Sequence, residues 1–182
     1  MLLDEALRGA RDAGADVFSL RCCDMQISGC VECGACDETG ECVVDDDMQK
    51  VYPLLLQCDV IVLASPMFFY GITAQAKALI DRCQALWCKV KLGLLPDRKR
   101  VFREGAGYLV CVGATKGKNL FDGVELVAKY FYDALDLKYG RGVFVRSVEG
   151  KGDISRHPDA LAQAYRLGQN AVATPGWIVE NQ

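Results

Sequence analysis

Cys30, Cys33 and Cys36 recur at intervals of three residues, and Cys42 follows after five intervening positions, all within the segment GCVECGACDETGEC. No helix or strand requires that spacing. It lets a single loop wrap an iron–sulfur cubane so that each iron takes one thiolate. Gly29, Gly34 and Gly40 supply the conformational freedom a tight wrap needs. Two other readings stay open. Four thiolates also satisfy tetrahedral zinc, although zinc ribbons usually present two separated pairs, and the cysteines can also be free or redox-active thiols.

Between Arg21 and Lys50 lie Asp24, Glu32, Asp37, Glu38, Glu41, Asp45, Asp46 and Asp47, with no Lys or Arg among them. Like charge disfavours adding an electron there, so a low reduction potential is expected of any cluster. The remaining cysteines, Cys22, Cys23, Cys58, Cys83, Cys88 and Cys111, are scattered through other elements and read mostly as small buried hydrophobes.

A second candidate site follows the apolar run DVIVLAS. Ser65, Pro66, Met67, Phe68, Phe69, Tyr70 and Gly71 form a loop that can offer backbone amides and aromatic faces to a planar isoalloxazine ring. Gly113, Ala114 and Thr115, leading to Lys116 and Gly117, follow the run YLVCVG. Their small side chains let backbone approach a ligand closely. Either loop also reads as ordinary packing or surface. His157 is the only histidine and precedes Pro158 at a helix start, which nearly excludes triad or His-metal chemistry.

These loops need elements to position them. Met1 to Ala13 reads as an amphipathic helix and Asp16 to Leu20 as a short strand, and the long cysteine loop follows. Asp45-Asp46-Asp47 caps a helix running to Gln57, which Pro53 should kink or restart. Asp59 to Ser65 and Tyr108 to Gly113 read as strands buried on both faces, and Gly142 to Ser147 as the last strand. Thr73 to Trp87, Leu120 to Leu135 and Pro158 to Ala173 read as helices, with Cys88 to Arg103 a basic connector. Strands alternating with helices predict an α/β doubly wound parallel sheet.

At 182 residues the chain suits a single domain, residues 1–182, with its cysteine-rich loop at about 22–44. A net charge of −3 argues against a nucleic-acid partner. No apolar run reaches the length of a membrane span and no signal peptide opens the chain, so a cytoplasmic location with no membrane partner is expected.

Taken together, Cys30 to Cys42, Asp46-Asp47-Met48, Ser65 to Gly71 and Ala74 to Arg82 resemble the NADPH-dependent FMN reductase and iron-sulfur flavoprotein family. The likeness is strong from Leu2 to Arg82 and extends at the level of element order to Ala173. It implies a flavodoxin-like fold, FMN beside the Ser65–Gly71 loop, and a [4Fe-4S] cluster on Cys30, Cys33, Cys36 and Cys42. It also implies a homo-oligomer, dimer or tetramer, and a flavin-dependent oxidoreductase passing electrons between cluster and FMN to a small acceptor. NAD(P)H or a ferredoxin-type donor would supply them. An acidic ferredoxin is expected to dock on Lys89, Lys91, Arg98, Lys99, Arg100 and Arg103. The alternatives are a cluster-free NAD(P)H-dependent FMN/quinone reductase and a non-enzymatic redox-sensing module.

The sequence departs from the family in one respect. The family opens with a first strand and a GSPRxxGNT-like loop that holds the FMN phosphate, whereas this chain begins in the helix that follows them. The expectation is a gap in the sheet between the strands at Asp16 and Asp59, and a native protein with additional N-terminal residues, unless another segment fills the gap.

Overall fold

The computed structural model describes residues 1–95 and 105–173. Helix α1 (Leu2–Asp12) is followed by the cysteine loop, which contains the one-turn helix α2 (Cys36–Thr39). Then come α3 (Met48–Gln57), β1 (Val60–Pro66), α4 (Ala74–Arg82) and α5 (Gln84–Lys91). Strand β2 (Gly105–Val112), α6 (Asp122–Asp133), β3 (Leu137–Val145) and α7 (Pro158–Ala173) complete the order.

The strands form a parallel sheet in the order β1-β2-β3. Strand β2 is central and its interior is buried, as its apolar run predicts. Its side chains alternate between two helix layers, because successive residues of a strand face opposite ways. Ala106, Tyr108 and Val110 join Val143 and Val145 against Leu2 and Ala6 of α1 and Ala160, Ala164 and Leu167 of α7. Leu109 and Cys111 face a second core built from α3, α4, α5 and α6, with Met48, Val51, Leu79, Leu86, Val124 and Tyr132 at its centre.

Helices α1 and α7 touch backbone to backbone. A Cβ on Gly168 would fall 1.9 Å from the Ala6 carbonyl oxygen, and one on Gly9 would fall 2.0 Å from that of Tyr165. Tyr132, fully buried, lets its hydroxyl accept from the Leu63 N–H at 3.1 Å and donate to the Tyr108 carbonyl, which ties α6 to both β1 and β2.

Several sequence expectations change. Asp16 to Leu20 forms no strand: it is irregular, mostly exposed, and pairs with none of the three strands. Strand β1 is not buried on both faces. Val60, Ile61, Val62 and Leu63 are only half-buried, because among the described residues β1 pairs with β2 alone and nothing covers its outer edge. Strand β3 starts five residues earlier than Gly142, and the helix expected over Thr73 to Trp87 divides at Cys83. Helix α3 runs through Pro53 as one helix. The basic connector begins only after Lys91, and Arg98, Lys99, Arg100 and Arg103 lie outside the described residues. No helix among the described residues is long and apolar enough to cross a membrane.

Candidate flavin and cluster sites

At the carboxyl end of β1 the chain makes a two-residue reversal. The Phe68 N–H donates to the Gly71 carbonyl at 2.9 Å and the Gly71 N–H to that of Phe68 at 2.8 Å. Between them, Phe69 and Tyr70 both take positive φ, 48° and 60°, as a type I′ turn requires. Bulky residues rarely occupy that region, and such strain is characteristic of ligand sites. The turn exposes its rings: Phe69 has no cover at all, and Phe68 and Tyr70 are more than half exposed.

The base of this turn is fixed. The Ser65 hydroxyl donates to the Pro66 carbonyl at 2.8 Å and accepts the Thr73 N–H at 3.2 Å, while Met67 N–H bonds the Val112 carbonyl at 2.8 Å. Thr73 then caps α4 by accepting the Ala76 N–H at 3.4 Å. The Gly113 loop lies alongside. Gly113 is buried, and Ala114 and Thr115 are exposed. Tyr70 joins the two loops, because Cβ atoms on Gly117 and Gly123 would come within 2.7 and 2.8 Å of its hydroxyl and carbonyl oxygens. Arg146, at the end of β3, holds the Gly117 and Lys118 carbonyls at 3.3 Å each. The structure therefore brings Ser65 to Gly71 and Gly113 to Thr115 to one edge, that of the strand carboxyl ends, where doubly wound sheets bind ligands. An exposed aromatic turn beside small residues fits the ring of a flavin.

The cysteine loop is seated by one buried cation. Arg82, the last residue of α4, is 1% exposed, and its Nη1 donates to the Asp46 carboxylate at 2.7 Å and the Ser28 carbonyl at 3.0 Å. Its Nη2 reaches the Val44 carbonyl at 3.2 Å. The Asp46 carboxylate in turn accepts the Ser28 and Met48 N–H groups, and Gln49 holds the Cys42 and Val44 carbonyls. Both ends of the loop thus converge on Arg82. Desolvation opposes ionisation of Asp46, but Arg82 and the two amides outweigh it and hold its carboxyl below the ordinary value.

The loop presents the four candidate ligands unequally. Cys30 and Cys33 are exposed, Cys36 and Cys42 half-buried, and none is in a disulfide. Glu32, Gly34 and Gly40 supply the positive φ angles, so Gly29 is not used in that way and Glu32 is. The Glu32 N–H points at Cys30 Sγ, 3.4 Å away, as it would toward a thiolate. Burial works against ionising Cys42, yet the Val44 N–H, the Tyr52 hydroxyl and the Arg82 guanidinium together set its thiol below the ordinary value. Four thiols on one pinned loop fit a cubane by donor set.

Sequence reasoning missed two features. Arg82 was visible only as the end of a motif, although a charge three residues after buried Leu79 on an apolar helix stripe is the signal of a buried anchor. Cys88, read as packing, sits with its Sγ 3.8 Å from that of Cys36 and 3.5 Å from Asp37 Oδ1. Burial, Cys36 and Asp37 push its thiol up to about 11. The acidic reading of the loop is also incomplete, since Arg82 pairs with Asp46, Lys50 with Asp47 and Lys89 with Glu41. Lys89 is thereby engaged, and Lys91 lies over the Trp87 ring.

Fold comparison places the scaffold in the flavodoxin-like class. A flavone reductase superposes with a TM-score of 0.66 at 18% identity over 95% of this chain and 58% of its own. An NAD(P)H:quinone oxidoreductase from Methanothermobacter marburgensis gives 0.59 at 16% identity over 93% and 89%. The chain belongs to the NADPH-dependent FMN reductase family, whose model matches residues 1–146.

Among relatives, an iron-sulfur flavoprotein of Methanocaldococcus jannaschii is 28% identical over 131 residues, 72% of this chain and 63% of that one. An iron-sulfur flavoprotein of Archaeoglobus fulgidus is 38% identical over 81 residues, 44% of this chain and 37% of its own. The chain thus spans less than two thirds of the length of these relatives.

Proposed function

We propose that this chain is an iron-sulfur flavoprotein oxidoreductase. A [4Fe-4S] cluster on Cys30, Cys33, Cys36 and Cys42 exchanges electrons with FMN, whose ring lies against Ser65 to Gly71 and Gly113 to Thr115. The observation that carries this reading is the placement of α4, which starts at the cap beneath the aromatic turn and ends in the guanidinium that seats the cysteine loop. At 1.5 Å per residue its nine residues set the two ends about 13 Å apart.

The flavin, when bound, supplies a carrier able to take electrons singly or in pairs. The chain's own residues position it: the strained Phe69-Tyr70 turn presents ring faces, and Gly123 keeps α6 close enough to hold Tyr70 in place. At the other end, Arg82 fixes the loop and places a positive charge beside Cys42, which favours the thiolate a cluster needs. NAD(P)H or a ferredoxin-type protein is the donor, a small molecule the acceptor, and the working unit a cytoplasmic homo-oligomer.

Anaerobic purification with iron, sulfide, zinc and flavin analysis tests this. About four irons and four sulfides per chain together with FMN are expected, as a cubane on four thiolates requires. FMN without iron would replace the proposal with a cluster-free NAD(P)H-dependent FMN or quinone reductase. Zinc, or neither cofactor, would point to a structural module, and a cluster without turnover on any acceptor to a redox-sensing one.

A further inference from the structure

The thiol missed by sequence reasoning builds a site of its own. Helix α2 packs against α5, with Gly40 on the backbone of Lys89 and Glu41 paired to the Lys89 ammonium. This docking carries Cys36 and Asp37 onto Cys88, so that one ligand atom from each of the three lies within 4.8 Å of the other two. Cys88 is 3% exposed, Cys36 half-buried and Asp37 exposed.

The separations have a specific meaning. With metal–sulfur bonds of about 2.3 Å, two thiolates on one tetrahedral zinc-like ion stand about 3.8 Å apart, and a thiolate and a carboxylate oxygen about 3.5 Å. Cys36 and Cys88 are 3.8 Å apart, and Cys88 and Asp37 Oδ1 are 3.5 Å apart. Thiolates on a cubane sit on different irons, one each, whereas this pair has the edge length of two ligands on a single ion. The Gln84 amide, 3.8 Å from Cys88 Sγ, donates toward the sulfur, as outer hydrogen bonds do around metal thiolates.

We propose that Cys36, Asp37 and Cys88 form a mononuclear site for a tetrahedral, borderline-soft divalent cation of the zinc class, with its fourth position open to solvent on the Asp37 side. Cys36 belongs to both constellations, so this ion and a cubane on the four loop cysteines exclude one another. The chain then has two metal states, selected by which ligand set captures Cys36. This proposal shares Cys36 with the cluster reading but does not depend on it, since an ion can bind whether or not a cluster ever assembles.

Cobalt(II) titration of the full reduced chain before cluster reconstitution tests the site. One equivalent should bind with a thiolate charge-transfer band and the visible d–d bands of tetrahedral cobalt, and zinc should bleach both. Cys88→Ser and Asp37→Ala should each weaken binding by at least about tenfold, since removing even an outer hydrogen-bond partner of a ligand costs about that much, while Cys30→Ser and Cys33→Ser leave it unchanged. Because Cys88 is buried, Asp37→Ala at an exposed position decides the matter if Cys88→Ser does not fold. After cluster assembly, confirmed by iron and sulfide content, the cobalt bands should not form. Absence of tetrahedral bands, binding lost in Cys30→Ser or Cys33→Ser, or equal binding to the cluster-loaded chain would each overturn the proposal. None of these results alters the iron and sulfide counts that judge the cluster reading.

Discussion

Arg82→Leu is expected to lower the free energy of unfolding by about 3–5 kcal/mol, the usual cost of removing one partner from a buried ion pair. The guanidinium is 1% exposed, and its loss strands the Asp46 carboxylate, itself 11% exposed, along with the Ser28 and Val44 carbonyls. Urea unfolding read by linear extrapolation measures this. A change below about 0.5 kcal/mol, the ordinary range for surface substitutions, would show that the loop does not depend on Arg82. Arg82→Lys should recover only part of the loss, because an ammonium keeps the charge but not the fork that spans three acceptors.

The pH dependence has a definite sign. Asp46 is held below its ordinary value in the folded chain, so the stability it contributes is present above the unfolded carboxyl value of about 3.9 and is lost as pH falls through the lower folded value. In Arg82→Leu the carboxylate keeps its two amides but loses its cation, and that contribution shrinks. The wild-type chain should therefore show a steeper stability decline below about pH 4 than the variant, in which the decline from Asp47 and Asp153 remains.

Cys33→Ala is expected to take iron and sulfide from about four per chain to near zero while leaving the fold untouched. Cys33 is exposed and makes no contact with either core, so the substitution isolates ligation from packing. FMN content should be unchanged, because the aromatic turn and the Gly113 loop lie at the other end of α4. Reduction of the flavin by a one-electron donor should then slow by about 100-fold or more, while bleaching by NADPH persists; each tenfold corresponds to about 1.4 kcal/mol of barrier. Iron retained at wild-type level would place the cluster on other ligands.

What the sequence revealed followed from how local each constraint was. The even spacing of Cys30, Cys33 and Cys36 was legible because no secondary structure demands it. The central strand was legible because β2 is covered on both faces and along both edges. Strand β1 carries an equally apolar run, but its exposure is decided by what lies beyond its outer edge, which composition does not encode. The break at Cys83 was hidden because the apolar stripe continues across it through Leu79, Cys83 and Leu86. The early part of β3 was hidden by Gly140 and Gly142, which weaken a strand pattern but here let Tyr108 and Leu109 of β2 pack close. The partners of Arg82 and Cys88 lie 36 to 54 residues away in sequence, so neither role had a local signature.

The open edge of β1 gives that strand two populations of amide with different lifetimes in heavy water. The Leu63 N–H bonds Tyr132, the Met67 N–H bonds Val112, and the Asp59 carbonyl accepts from Ala106, so odd-numbered residues turn toward β2. The amides of Val60, Val62 and Ala64 turn outward, where no strand among the described residues meets them. Deuterium should enter at these alternate positions within the time of local fluctuations, while Leu63 waits for opening of the sheet. A residue-by-residue comb along the amides from Val60 to Ser65, Pro66 having none, would be the signature of an unpartnered edge in solution, and uniform protection would mean that another strand covers it.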